Sequence, residues 1–129
     1  MMRRNGWHMV KTDDSLTLAR WLPPRFDVEA TTRLPRLRAR VLAHEVRKDL
    51  WRLLRSQRGF SPVIELSERE GGLFLRAGGQ IAGPVPGGLG SRIARMLETP
   101  ALRHRWATHA RLRPQAAKMA AGAETKVNA

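Results

Sequence analysis

The chain predicts an α+β fold: one long amphipathic helix, a small antiparallel hairpin or three-stranded meander, and two short C-terminal helices. Three observations predict it. Apolar residues recur at helical spacing over residues 35–57 and again over residues 91–112. Between these stretches the pattern becomes that of strands, in Pro62-Val63-Ile64-Glu65-Leu66 and Leu73-Phe74-Leu75-Arg76. Glycine and proline clusters punctuate the boundaries. At 129 residues one domain is expected, over residues 12–112, between a disordered basic N-terminus (1–11) and a disordered tail (113–129). Met9 offers a second start, in which case residues 1–8 lie outside the protein proper.

Taken in order, Thr12 followed by Asp13 and Asp14 reads as a helix entry, with acids where the dipole favours them. Leu16, Leu18, Ala19 and Leu22 then support a short helix to about Trp21, stopped by Pro23-Pro24. Residues 25–33 are polar and read as a linker. Pro35 suits the first turn of the longest helix, to residue 57 before Gly59. On that helix Ala39, Leu42, Ala43, Val46, Leu50, Leu53 and Leu54 share a core-facing stripe. Arg40, Arg47, Lys48, Arg52, Arg55 and Arg58 occupy the other side, with Trp51 among them.

The two β-prone runs flank Ser67-Glu68-Arg69-Glu70-Gly71-Gly72, where glycine accepts positive φ, so a hairpin is expected. A brief third strand at Gln80–Ala82 and a loop over residues 83–90 follow. Ser91 is the expected N-cap of a helix carrying Ile93, Met96 and Leu97 on one side. Thr99-Pro100 repeats the cap-and-first-turn signature for a helix to about Leu112, with Leu102, Trp106 and Ala110 as its buried stripe. The order helix, long helix, small sheet, terminal helix is similar to that of histone-like DNA-bending proteins. Their glycine–phenylalanine signature and long basic arm are absent, and the likeness stops at element order.

Composition narrows the chemistry. No Cys means no disulfide framework, zinc ribbon, iron–sulfur cluster or thiol nucleophile. His8, His44, His104 and His109 make no metal-binding pair at helical spacing, and no serine sits in a nucleophile elbow. Glu45 and Asp49 lie one turn apart, but Lys48 and Arg52 follow each by three residues, the spacing of surface ion pairs. The loop Gly87-Gly88-Leu89-Gly90-Ser91-Arg92 lacks the lysine of a phosphate-binding loop and the context of a dinucleotide fingerprint. No enzyme, cofactor, metal or membrane span is expected, and the missing apolar segment after the basic N-terminus points to the cytoplasm.

What remains is charge. Lys and Arg number 24 against 11 Asp and Glu, for a net +13, and 20 of the 24 are Arg. Residues 33–58 are net +7 and residues 91–113 net +5, whereas residues 12–32 are net −2 and residues 59–90 net −1. Two basic helical regions thus flank a nearly neutral sheet. Guanidinium groups match phosphates bidentately and stack on flat rings, so the expected function is nucleic-acid binding, with DNA slightly favoured. The residues expected to touch nucleic acid on the long helix are Arg40, Arg47, Lys48, Trp51, Arg52, Arg55 and Arg58. The C-terminal helices add Arg92, Arg95, His104, Arg105, Thr108 and Arg111 in a helix-turn-helix arrangement. The alternative is an adaptor whose basic helix docks on an acidic protein, or which forms a homodimer through Trp51, Leu37 and Val41.

Overall fold

The structure is a computed structural model and describes residues 2–4 and 6–113. It is α+β, an antiparallel sheet with three helices, and the sheet is larger than a hairpin or meander. Its strands are β1 (Met2–Arg4), β2 (Trp7–Lys11), β3 (Ser15–Ala19), β4 (Val28–Leu34), β5 (Ser61–Arg69) and β6 (Gly72–Gln80). They lie in the order β1-β2-β3-β5-β6-β4; five have five or more residues, and the three-residue β1 extends one edge. The helices are α1 (Ala39–Leu54), α2 (Leu89–Leu97) and α3 (Pro100–His109).

Four strands replace expected helix, linker and tail. Residues 12–15 are not a helix entry but the turn of the β2–β3 hairpin, where the Thr12 N–H donates to the Ser15 carbonyl at 3.0 Å. Thr and Asp serve caps and turns through the same local hydrogen bonds, which is why the two readings compete. Leu16 and Leu18 alternate into the core with Ser15 and Thr17 on the other face, the period of a strand. Residues 7–11, expected to be loose, pair with β3 and bury Trp7 and Met9. The supposed linker holds β4, whose Val28, Ala30 and Leu34 face the core while Glu29, Thr31 and Arg33 face water. With no first helix, the likeness in element order to the DNA-bending proteins falls away.

The expected hairpin of β5 and β6 is present, longer than the apolar runs alone suggest. Its turn is Glu70–Gly71, both at positive φ (49° and 79°), the two-residue geometry whose twist matches antiparallel strands. No separate third strand follows: Gln80 ends β6 and Ile81 is buried beyond it. Gly78 lets β4 approach closely, since a Cβ there would lie 1.9 Å from the Val28 carbonyl oxygen.

The long helix is shorter than expected, because Arg38 stays extended and serves another element. Its backbone N–H donates to the Ala110 carbonyl at 2.7 Å, and its guanidinium donates to the His109 and Arg111 carbonyls at 2.8 and 3.0 Å. Arg38 therefore satisfies carbonyls that the end of α3 leaves open. The predicted stripe of α1 is the buried one: Leu42, Ala43, Val46, Leu50 and Leu54 are inaccessible or nearly so, and Ala39 and Leu53 pack at its margin. Burying each large side chain contributes about 1.5–3 kcal/mol. α1 lies against β5, β3 and β6, and α2 lies against β4 and β6.

Helix α2 starts at Leu89 with Gly88 at its N-cap, so Ser91 sits inside the first turn. Burial of Leu89 draws the helix start forward. Thr99 and Pro100 take the predicted cap and first-turn positions of α3, which ends at His109, leaving Leu112 exposed. α3 packs on α1 and α2 through Trp106 and Ala110. The guanidinium of Arg103 bridges to the Leu97 carbonyl at 2.8 Å and the Arg33 carbonyl at 2.6 Å, tying α3 to α2 and β4. No helix among the described residues is long and apolar enough to cross a membrane. The tail beyond residue 113 lies outside the described residues.

Candidate functional site

Where β2, β3 and β5 meet the C-terminal half of α1, aromatic and cationic side chains converge on a cleft of about 230 Å³. Trp7, Arg20, Trp21, Arg47, Trp51 and Phe60 form most of its wall. Each arrives for a local reason. The β2–β3 register pairs His8 with Ala19, which carries Arg20 to the position opposite Trp7. Trp21 follows as the chain leaves the sheet towards two prolines, and is 60% exposed. Arg47 and Trp51 lie one helical turn apart on α1. Phe60 is the last residue before β5.

The geometry is that of a stacking surface beside charge. The Trp51 ring is 43% exposed and stacks on Phe60, with centroids 6.2 Å apart and planes 12° from parallel. The guanidinium carbons of Arg20 and Arg47 lie 4.9 and 4.8 Å from the centroid of the Trp7 ring. Among the described residues neither arginine has a carboxylate within ion-pair distance. Arg47 donates to His44 Nδ1 at 3.1 Å, but its buried Nε–H finds no acceptor. Burial first, and then the like charge of Arg20, push the Arg47 guanidinium below its ordinary value, with Glu45 pulling the other way.

The structure sorts the predicted binding residues into four groups. Arg47 and Trp51 come together in the cleft, with Arg55 one turn beyond Trp51 and Arg58 two residues before Phe60, both exposed. Lys48, Arg52 and Arg105 are instead engaged by acids of α1. Lys48 pairs with Glu45 at 3.4 Å, while Arg52 and Arg105 both pair with Asp49. Asp49, expected to be a solvated surface acid, is 7% exposed and also accepts from Trp106 Nε1 at 2.7 Å. Arg92 and Arg95 line a separate groove with Leu53, Met96 and Leu102, and Arg92 donates to the Leu53 carbonyl at 3.1 Å. His104, Thr108 and Arg111 lie on or just after α3, and Arg40 is exposed at the start of α1.

In the expected helix-turn-helix, Arg105 is paired with Asp49 of α1. Leu37 and Val41, expected beside Trp51 on a homodimer face, are partly buried against the core. Sequence reasoning missed Trp7, Arg20, Trp21 and Phe60. The signal was the alternation Trp7-x-Met9 and Leu16-x-Leu18 about Asp13-Asp14, which marks the hairpin that brings Trp7 and Arg20 together. Among the described residues no three His, Asp or Glu side chains gather to hold a metal ion. In comparisons with known proteins the chain matches no family model, no curated protein and no solved structure. The class its structure defines is a small α+β domain with a basic, tryptophan-lined cleft.

Proposed function

We propose that this chain is a non-enzymatic, cytoplasmic nucleic-acid-binding protein whose affinity comes mainly from arginines bound to phosphate. One observation carries the reading: the distribution of charge left over after internal pairing. Asp27, Glu29, Glu45, Asp49, Glu65, Glu70 and Glu98 each hold an Arg, Lys or His within ion-pair distance. Arg20 and Arg47 in the cleft, and the exposed Arg55 and Arg58 close to Trp51 and Phe60 along the chain, hold no carboxylate among the described residues. Guanidinium groups gathered without counter-charge favour a polyanion.

Binding to a random-sequence strand and duplex across a salt series tests it. Log K is expected to fall linearly with log salt, and Arg55→Ala with Arg58→Ala to flatten the slope by roughly one for each phosphate no longer neutralised. No binding of either nucleic acid at low salt would overturn the reading. An acidic protein surface, which would satisfy the same arginines, is then the occupant to pursue.

A further inference from the structure

We infer that the cleft between Trp7, Trp21 and Trp51 takes one unstacked base of a single-stranded segment, with the adjoining phosphate on Arg20 and Arg47. The inference rests on the nucleic-acid reading above and adds to it a site and a strand state. Three features lead to it. Trp51 already makes a near-parallel stack with Phe60 on one side and leaves two-fifths of its surface open. An indole in that state offers a planar apolar surface that every base can stack on. Trp21 stands exposed at the rim of the same cleft, as a second flat surface.

Charge supplies the second half of the match. Two guanidiniums share one indole without an acid between them, and one has a buried N–H without an acceptor. An anion in the cleft screens their repulsion and accepts from the exposed Arg20 guanidinium, while the buried Arg47 Nε–H stays out of its reach. The cleft has room for one planar ring system, not for a duplex. A base still paired within a helix cannot reach a ring at the cleft wall, and a single strand supplies an unstacked base without the cost of flipping one out of a duplex. An acidic peptide would meet the arginines but leave the indole surfaces without a planar partner.

The test compares two strands of equal length and charge: an oligodeoxythymidylate, and the same backbone with every base replaced by an abasic residue. The full chain is titrated with each at low salt, by anisotropy of a label on the strand. The base-bearing strand is expected to bind at least about fivefold more tightly, the low end of one stacked base, and to quench tryptophan fluorescence. In Trp51→Ala and in Trp21→Ala the ratio between the two strands is expected to collapse towards one. Trp21 is largely exposed, so its variant tests the cleft without opening the core. Equal affinity for the two strands, or a ratio that survives both substitutions, overturns the inference and leaves the phosphate-binding reading standing. If neither strand binds at low salt, both readings fall together.

Discussion

Asp49 shows how one residue can change meaning between sequence and structure. Read along α1 it is half of a surface pair with Arg52. In the fold it is nearly buried and receives donors from Arg52, Arg105 and Trp106 Nε1, which come from two helices. A carboxylate shielded from water is tolerated only with its oxygens occupied, and the indole N–H of a fully buried Trp106 needs an acceptor just as strongly. Asp49→Ala is therefore expected to destabilise the protein by about 3 kcal/mol, within the range for breaking a buried charged network. Asp49→Asn keeps an acceptor for the indole and is expected to cost less. Urea unfolding followed by circular dichroism checks both, and a midpoint unchanged in Asp49→Ala would assign the cluster no structural role. The i, i+3 spacing was legible in the sequence, but Arg105 and Trp106 lie 56 and 57 residues away and reach Asp49 only through tertiary packing.

Among elements, the packing of α3 on α1 is held at two levels, by Asp49 and by Glu45 with His109. His109 Nδ1 lies 2.8 Å from Glu45 Oε1, and Lys48 approaches the other carboxylate oxygen. Burial pushes the Glu45 carboxyl up, but His109 and Lys48 outweigh it, so the net displacement is below the ordinary carboxylate value. A carboxyl lowered on folding adds stability above its unfolded value of about 4.3, and loses it as pH falls through the lower folded value. The stability difference between the native chain and Glu45→Gln is thus expected to shrink on acidification below about pH 5. Urea midpoints at a series of pH values measure it, and a difference that grows towards low pH would refute the assignment.

The elements also differed in how plainly they could be read. α1, α2 and the β5–β6 hairpin carry strong periodicity or turn chemistry within themselves, and α3 is marked by Thr99-Pro100 at its start. β2, β3 and β4 do not, because each is half wet, and half of its residues are polar by necessity. Their identity depends on a neighbour that buries the other half. The turn at Thr12–Ser15 and a helix cap use the same side chains, and only the pairing of Met9 with Leu18 across the ladder decides between them.

Across the molecule, the surplus of positive charge is the leading property. Internal pairing engages most of the acids, and the arginines left over repel one another in the folded state. Raising sodium chloride from about 20 to about 300 mM shortens the screening length to several ångströms and is expected to raise Tm by a few degrees. The same change weakens nucleic-acid binding, so stability and affinity should move in opposite directions. A Tm that falls with salt would mean that the ion pairs outweigh the repulsion.

The α+β class, the three helices and their buried stripes, the longest hairpin and the surplus of arginine all follow from local pattern, because helix periodicity, turn residues and net charge are properties of neighbouring positions. Which arginines remain without a carboxylate, and the gathering of Trp7, Arg20, Trp21, Trp51 and Phe60 into one cleft, were settled by sheet order, by the packing of α1 on the sheet and by that of α3 on α1. Those arrangements join residues tens of positions apart, and only closing the chain on its core brings their side chains within reach.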